Sequence, residues 1–487
     1  MIFKKRNGIA LLTVIVFFLI GSMFVFISLF LLESQTKLNV RYQNNESALH
    51  YAEAGLNQYI WHLNKLGSTI PTGVVDFEDG QYVVEPIDVK DSYQIIKITG
   101  WSNKDSENKR TIESKIGKRT FAQYVYFSQE DSDTIRWTTN DKNYGPYHTN
   151  KNITVDGNPT FYGRVTYNGR LHFYNGQYRG GISDPNFKPT SSINGSYPKF
   201  ESGIQWVQAL EVPATNSDLE YRAKNGGYFY EGRTSIRLNS NGTITIRNEK
   251  VNSGNSVNRH LPSNGVIYIK GSSVNESDKF NTNSGNAFIS GTLKGKLTIG
   301  ASNDIYITGY DPTDFSDSPS LLGGIKYAST TFKEKRNSAN IIIGYEASGE
   351  DMLGLVANDD VWILCKDWFR SNGNGGTVKP NVSLENINID SAVFAINGSF
   401  GFEKYYPNSS TYWDYYYHNN KKITLRGAII QKTRGAVGQG TDYGYDTKDY
   451  AHDNRMEYQS PPYFTSPENS GWEIKEWKEV NDHVSIP

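Results

Sequence analysis

Gly285–Tyr310 reads GNAFISGTLKGKLTIGASNDIYITGY. Short apolar words follow one another here, and only Ala301–Asp304, ASND, separates KLTIG from IYITG. Two near-equivalent strands this close together predict a parallel β-helix or related solenoid, in which each coil buries its inward side chains against the next. Regular turn spacing also fits a sandwich, so that fold stays open at this point. Outward from this stretch, similar words run from Asn264 to Val437: NGVIYIKGS, LGLVANDDVWIL, SAVFAING and ITLRGAII. Each is bounded by Gly or Asn, the residues that turns require. The spacing between words is not constant.

Composition agrees with a turn-rich β protein. The chain has 487 residues, 33 Tyr and 45 Gly, and aromatic residues make up 13%. Net charge is −1, so the whole molecule has no electrostatic pull toward nucleic acid, and no nucleic-acid partner is expected. The single cysteine, Cys365, excludes a disulfide framework and a paired-cysteine zinc site within one chain. It lies in the apolar run DDVWILC and reads as a small buried hydrophobe.

The N-terminus is different. Lys4, Lys5 and Arg6 precede Gly8, and no charge occurs from Ile9 to Leu32. As a helix this run spans about 36 Å, enough to cross a bilayer. It is longer than the core of a cleavable signal, and no A-x-A site follows. The basic residues predict a cytoplasmic N-terminus, with everything after Leu32 outside. Beyond the span, Leu49, Ala52, Leu56, Ile60 and Leu63 recur at helical spacing, and Gly67 and Pro71 supply a stop. One helix from Ile9 to about Lys65, roughly 85 Å long, is the simplest reading. Gly55 inside it costs about 1 kcal/mol relative to Ala.

These features resemble a family. A basic leader ending in Gly8, a hydrophobic helix directly after it, and ALHYAEAGL, with Ala48, Ala52, Glu53, Ala54, Gly55 and Leu56 at the matching positions, are similar to the PilX-type N-terminus of type IV pilus minor pilins. The resemblance implies cleavage by a prepilin peptidase between Gly8 and Ile9. It also implies assembly with other pilins by the pilus machinery after residence in the cytoplasmic membrane. Typical major pilins carry Glu at the fifth mature position. Here that residue is Thr13, which cannot form an ion pair with a neighbour's amine. Similar pilins without the Glu include several placed at filament tips, so a tip or priming role is the preferred expectation.

Period-two patterning in GQYVVEPI, DSYQIIKITGW and KRTIESKIG predicts a small antiparallel sheet, with Ile95, Ile98, Ile112 and Ile116 in its core. The next block is similar to an uncharacterised domain often joined to PilX-type N-termini in bacteria. The shared words are Gly145, Pro146, His148, Asn150 and Gly157, Pro159, Phe161, Gly163, together with the later YDTKDYAHDNRMEYQSPPYF. The chain therefore divides into a leader (1–8), a pilin-like helix (9–66, with 9–32 transmembrane), a small antiparallel sheet (67–120), a β-rich domain (121–262), a β-helix-like domain (263–437) and a C-terminal irregular segment (438–487). The fold class is α+β, mostly β.

Candidate chemistry is sparse. His148 reads as a structural histidine in a turn, and His452 with Asp453 is read the same way. Asp311, Asp314 and Asp317 could offer oxygen ligands to Ca²⁺, but a solvated loop outweighs that reading. Tyr405, Tyr406, Tyr412, Trp413, Tyr415, Tyr416 and Tyr417 form the richest aromatic run, either an adhesive patch or a cover for the solenoid's end. No hydrolase, metalloprotease, P-loop or dinucleotide motif is present, and no cofactor is implied. Asp359–Asp360 is the best acid pair for a polysaccharide-active enzyme, and it reads as a turn. Besides the pilin reading, a membrane-anchored binding protein outside a pilus and, less favoured, such an enzyme remain open.

Overall fold

The fold is given by a computed structural model that describes residues 9–65, 68–89, 93–118, 120–131, 135–173, 177–180, 195–272, 279–314, 322–364, 386–403, 422–439, 443–445, 447–467 and 471–481. The chain forms two compact units, Met1–Gly117 with Gly471–Pro487, and Lys118–Ser470. The leader, Cys365, Asp317 and the aromatic run from Tyr405 to Tyr417 lie outside the described residues.

The first unit contains a 56-residue helix, α1 (Ile9–Asn64), long and apolar enough to cross a membrane. A five-stranded sheet accompanies it, in the order Val74–Phe77, Gly80–Val89, Tyr93–Ser102, Asp105–Lys118, Trp472–Val480. The first four pair antiparallel in sequence order. The fifth comes from the segment 438–487 that the sequence suggested was irregular. Arg110 holds it through Glu479, and Ser114 Oγ donates to Glu476 O at 3.1 Å. The expected core needs one correction. Ile98, Ile112 and Ile116 are fully buried, but Ile96 is their companion and Ile95 is only half-buried. Residues 95 and 98 have opposite parity on a strand, so a regular strand cannot turn both to one face.

The second unit is built mainly on parallel pairing. Its longest ladder joins ten strands, and one register row runs Tyr228, Ile267, Ile299, Leu355, Val393, Ile429, Tyr126, Tyr147, Val165, Ile204. From Ile267 onward every member of that row is buried. A second ladder stacks Ile236, Ile289, Ile307, Ile363 and Phe402. A third stacks Gly291, Ile325, Ile389, Leu425, Tyr450, Asn143, Phe161 and Phe200. From Lys296 to Thr433 the chain visits the first, second and third ladders in a fixed cyclic order. Aliphatic side chains of similar size stack on one another, which is what a continuous core asks of each layer.

The expected boundary at 262/263 is not observed. Strands from 126–206 stack beyond Ile429 at one end of the long ladder, while Tyr228–Glu231 begins the other end. Residues 207–216 and helix α2 (Ser217–Lys224) carry the chain back along its length. This strap touches the ladder in reverse order. Val207 N donates to Tyr167 O, Asn150 Nδ2 to Leu210 O, Asn397 Nδ2 to Ala214 O, and Asn216 Nδ2 to both Val356 O and Ala301 O. Nine strand spacings of about 4.8 Å make about 43 Å. Ten extended residues plus eight helical ones reach about 45 Å, and Asn225–Gly227 add about 10 Å, so the connection spans the ladder with little to spare in its length.

One edge of the second ladder is held by a file of Asx side chains, each preceding its strand. Asn286 Oδ1 accepts from Asp304 N at 3.1 Å, Asp304 Oδ1 from Asp360 N at 2.9 Å, and Asp360 Oδ1 from Ser399 N at 2.6 Å. Burial pushes the Asp304 carboxyl up to about 7, against the hydrogen bond from Asp360 N, which lowers it. A folded pKa above the unfolded value near 3.8 favours the protonated folded form. That contribution is complete below pH 3.8 and is lost as pH rises through about 7. Relative to Asp304→Asn, the wild type is expected to lose about 2 kcal/mol between pH 4.5 and 7.5 after solvent screening, measured by urea unfolding. Identical pH slopes for the two proteins would refute this.

Candidate assembly module and surface sites

The helix has two environments. From Leu11 to Leu32 its side chains are almost all exposed, with Phe17 at 75% and Phe30 at 73%. From Asn44 onward it meets the sheet, where Asn44 Nδ2 lies 3.3 Å from Asp105 Oδ2. Small residues make this contact close. Ala48 and Ala52 are fully buried, and Leu56 nearly so. A methyl group on Gly55 would sit 2.6 Å from Tyr82 Cδ2 and 2.9 Å from Ile98 Cγ2. Across the contact, a methyl on Gly100 would collide with Ala52 N and Ala48 O. Gly55 thus offsets its helical cost by letting Tyr82 and Ile98 approach the helix backbone closely. Tyr59 Oη donates to Gln94 Oε1 at 2.8 Å, and Tyr82 Oη donates to Gln58.

Of the predicted residues in this module, Gly55 and Leu56 face the sheet. Ala54 is half-buried. Glu53 is partly exposed and lies 3.4 Å from His50 Nδ1, a surface pair of little energetic weight. Ile9 begins the helix, and Thr13 is exposed on it. Gly100 escaped the sequence reading, although a glycine inside a strand signals close backbone approach.

In the second unit, His148 is on a strand, Tyr147–Thr149, rather than in a turn. Its ring is fully buried, stacked 5.4 Å from Phe127 and flanked by Tyr124. Nδ1 lies 2.8 Å from Thr166 Oγ1 and Nε2 2.9 Å from Asn150 Oδ1. Burial pushes its pKa down to about 4, and the Asn150 hydrogen bond acts in the opposite sense. His452 Nε2 lies 2.8 Å from Ala122 O. Asp453 is buried against Arg455, whose guanidinium also donates to Gly349 O and Asp351 O. These groups are occupied in joining chain segments.

Asp314 and Asp311 are engaged with neighbouring protein groups. Asp314 pairs with Arg247 at 3.0 Å, and Asp311 Oδ1 accepts from Thr313 N and Oγ1. Among the described residues, no three His, Cys, Asp or Glu side chains come together as a metal cluster. Asp360, the candidate catalytic acid, binds the backbone at Ser399.

A family profile described as a domain of unknown function (DUF4900) matches residues 94–169. The match begins in the antiparallel sheet and takes in Gly145, Pro146, His148 and Phe161. No curated protein and no solved structure shows significant similarity to the chain.

Gly55→Val is expected to destabilise the first unit by about 2 kcal/mol, because Tyr82 and Ile98 have nowhere to move. Limited proteolysis near Leu63 should show it, and unchanged protection would count against the close contact. A second expectation concerns His148. Its folded pKa of about 4 lies below the unfolded 6.5, so its contribution is full above pH 6.5 and is lost as pH falls toward 4. Imidazole NMR should show His148 neutral at pH 5.5, and a titration midpoint near 6.5 would contradict its burial.

Proposed function

We propose that the chain is a pilin-like minor subunit of a type IV pilus or related filament, held in the cytoplasmic membrane before assembly. The observation that carries this reading is the division of α1 into an apolar, exposed front and a rear clamped to a small sheet by Ala48, Ala52 and Gly55. A helix apolar on all sides is equally at ease among lipid tails or among similar helices. Transfer from bilayer to filament core then leaves the burial of its side chains intact. The helix also stays exposed past the span, where Leu38, Val40 and Tyr42 present apolar surface at 62%, 49% and 70%. A plain anchor has no need of apolar side chains there, whereas packing against neighbouring subunits does.

On this reading a prepilin peptidase cleaves after Gly8, other pilins and the assembly machinery are the partners, and the absence of charge at Thr13 suits a filament tip. The cyclic order of the ladders supports a three-faced parallel β-solenoid for Lys118–Ser470. Such a unit would serve as an outward head for adhesion or partner contact. The segment containing Tyr405–Tyr417 is one place for that contact.

Mass spectrometry of the mature N-terminus tests the proposal. Loss of residues 1–8 with a modified Ile9 is expected in wild type, and full retention of the leader in Gly8→Leu. An intact Met1 in wild type would favour a plain membrane anchor. Thr13→Glu should leave processing unchanged and move immunogold label from the tip toward the shaft of sheared fibres. Label that never coincides with fibres would overturn the assembly role.

A further inference from the structure

Most layers of the large unit bury aliphatic or aromatic side chains, but the layer formed by Tyr126–Glu130 and Lys142–Tyr144 is polar inside. Ser128 has the parity of Tyr126 and so faces the core, between Gln431 on one neighbouring strand and Thr149 on the other. Asn143 stands in the row that runs through Tyr450 and Phe161. Ser128, Asn143, Gln431 and Thr149 are all buried. Arg434 reaches the same region, its guanidinium 4.3 Å from the centre of the Trp137 ring and 5.7 Å from that of Tyr126. The Trp137 ring in turn lies 5.3 Å from the rings of Tyr126 and Phe161.

Some of this polarity is satisfied within the protein. Gln431 accepts from Phe400 N and Gly435 N, and Tyr147 Oη donates to Asp131 Oδ2 at 2.9 Å. Arg434 Nη2 donates to Arg136 O at 3.3 Å. Ser128 Oγ, both ends of the Asn143 amide and Arg434 Nη1 are buried with no hydrogen-bond partner among the described residues. Each such atom, left dry, lowers the folding equilibrium constant about ten-fold. The nearest carboxylate oxygen to Arg434 Nη1 is Asp131 Oδ2 at 3.6 Å, too far for a direct hydrogen bond and a separation that water bridges. Asn143 also interrupts a row of rings, Tyr450, Phe161 and Phe200. An amide is shorter than a ring, as a layer shared with small guests requires.

We propose that this layer is a built hydration site that holds internal water at two places, on the Asn143 amide and between Arg434 Nη1 and Asp131 Oδ2. The charges of Arg434 and Asp131 cancel, so the guest is neutral. The open atoms include donors and acceptors, so the guest must do both, and water is the smallest molecule that does. Buried water makes about three hydrogen bonds to groups of this kind. The bound water completes the polar contact between the strands before residues 207–227 and those after them. It stands on the second unit alone and is independent of the filament reading.

The test uses crystals of the full chain in detergent, at a resolution that shows ordered water, with and without a sodium bromide soak. Density is expected within hydrogen-bond distance of the Asn143 amide and between Arg434 Nη1 and Asp131, with no anomalous bromide signal at either place. A dry layer, or bromide at either position, would overturn the proposal. Asn143→Leu, a near-isosteric change, gives a second readout of opposite sign for the two cases. If the amide anchors water, the variant strands the water's other partners, and urea unfolding should show an equilibrium constant for folding about ten-fold lower. An unchanged or higher urea midpoint would mean that the amide is buried dry and the site does not exist.

Discussion

The pairing of Tyr126–Glu130 with the far half of Lys422–Thr433 is the contact on which the large unit depends, since it joins two stretches about three hundred residues apart. Together with the pairing of Thr447–His452 on Lys142–Tyr144, it covers edges that the strands before the strap and those after it would otherwise leave bare. The seam is more polar than the rest of the core. Gln431 Nε2 donates to Tyr126 Oη at 2.6 Å, and Arg434 is buried 3.6 Å from Asp131 with its guanidinium 4.3 Å from the centre of the Trp137 ring. Burial opposes the guanidinium charge, but Asp131 and the phenols Tyr126 and Tyr147 more than offset it and raise its pKa. A buried ion pair contributes little net stability, yet it penalises every other alignment. One aliphatic layer fits nearly any other, so a polar seam gives the two blocks a single register.

The strap follows from the same seam. Once the 126–206 strands occupy the far end, the chain must return the full length of the ladder to begin Tyr228–Glu231. Its apolar side chains Leu210 and Val212 pack on the cluster that includes Phe121, Phe127 and Phe394. Asn216 is buried and fully used, donating to Ala301 and Val356 and accepting from Tyr268.

In the first unit, close approach of backbone to backbone and large side chains work together. Gly55, Gly100, Ala48 and Ala52 bring helix and sheet close, and Leu56, Tyr59, Ile96, Ile98, Ile112 and Ile116 fill the core beside them. Bulky apolar residues also fill the front of α1, where they are exposed on a helix long and apolar enough to cross a membrane. One continuous helix thus has an exposed front and a packed rear, and the change occurs near Asn44.

Much of this was legible in the residues. Charge-free length specified α1 and its capacity to cross a membrane, because helical rise and bilayer thickness are local quantities. Alternation specified the three strands of the small sheet and the strand words between Asn264 and Val437, and the short ASND gap between KLTIG and IYITG pointed toward parallel stacking. Parity in the sequence also separates Ile96 from Ile95. Tertiary structure alone decided the stacking order, because Ile299, Leu355, Val393 and Ile429 are chemically interchangeable as layers. It also decided that Trp472–Val480 returns to the first sheet, that Asp360 binds a backbone amide, and that Ser235, Arg247 and Phe288 share one outer row. Those outcomes depend on which distant edge each strand meets, and no local pattern encodes that choice.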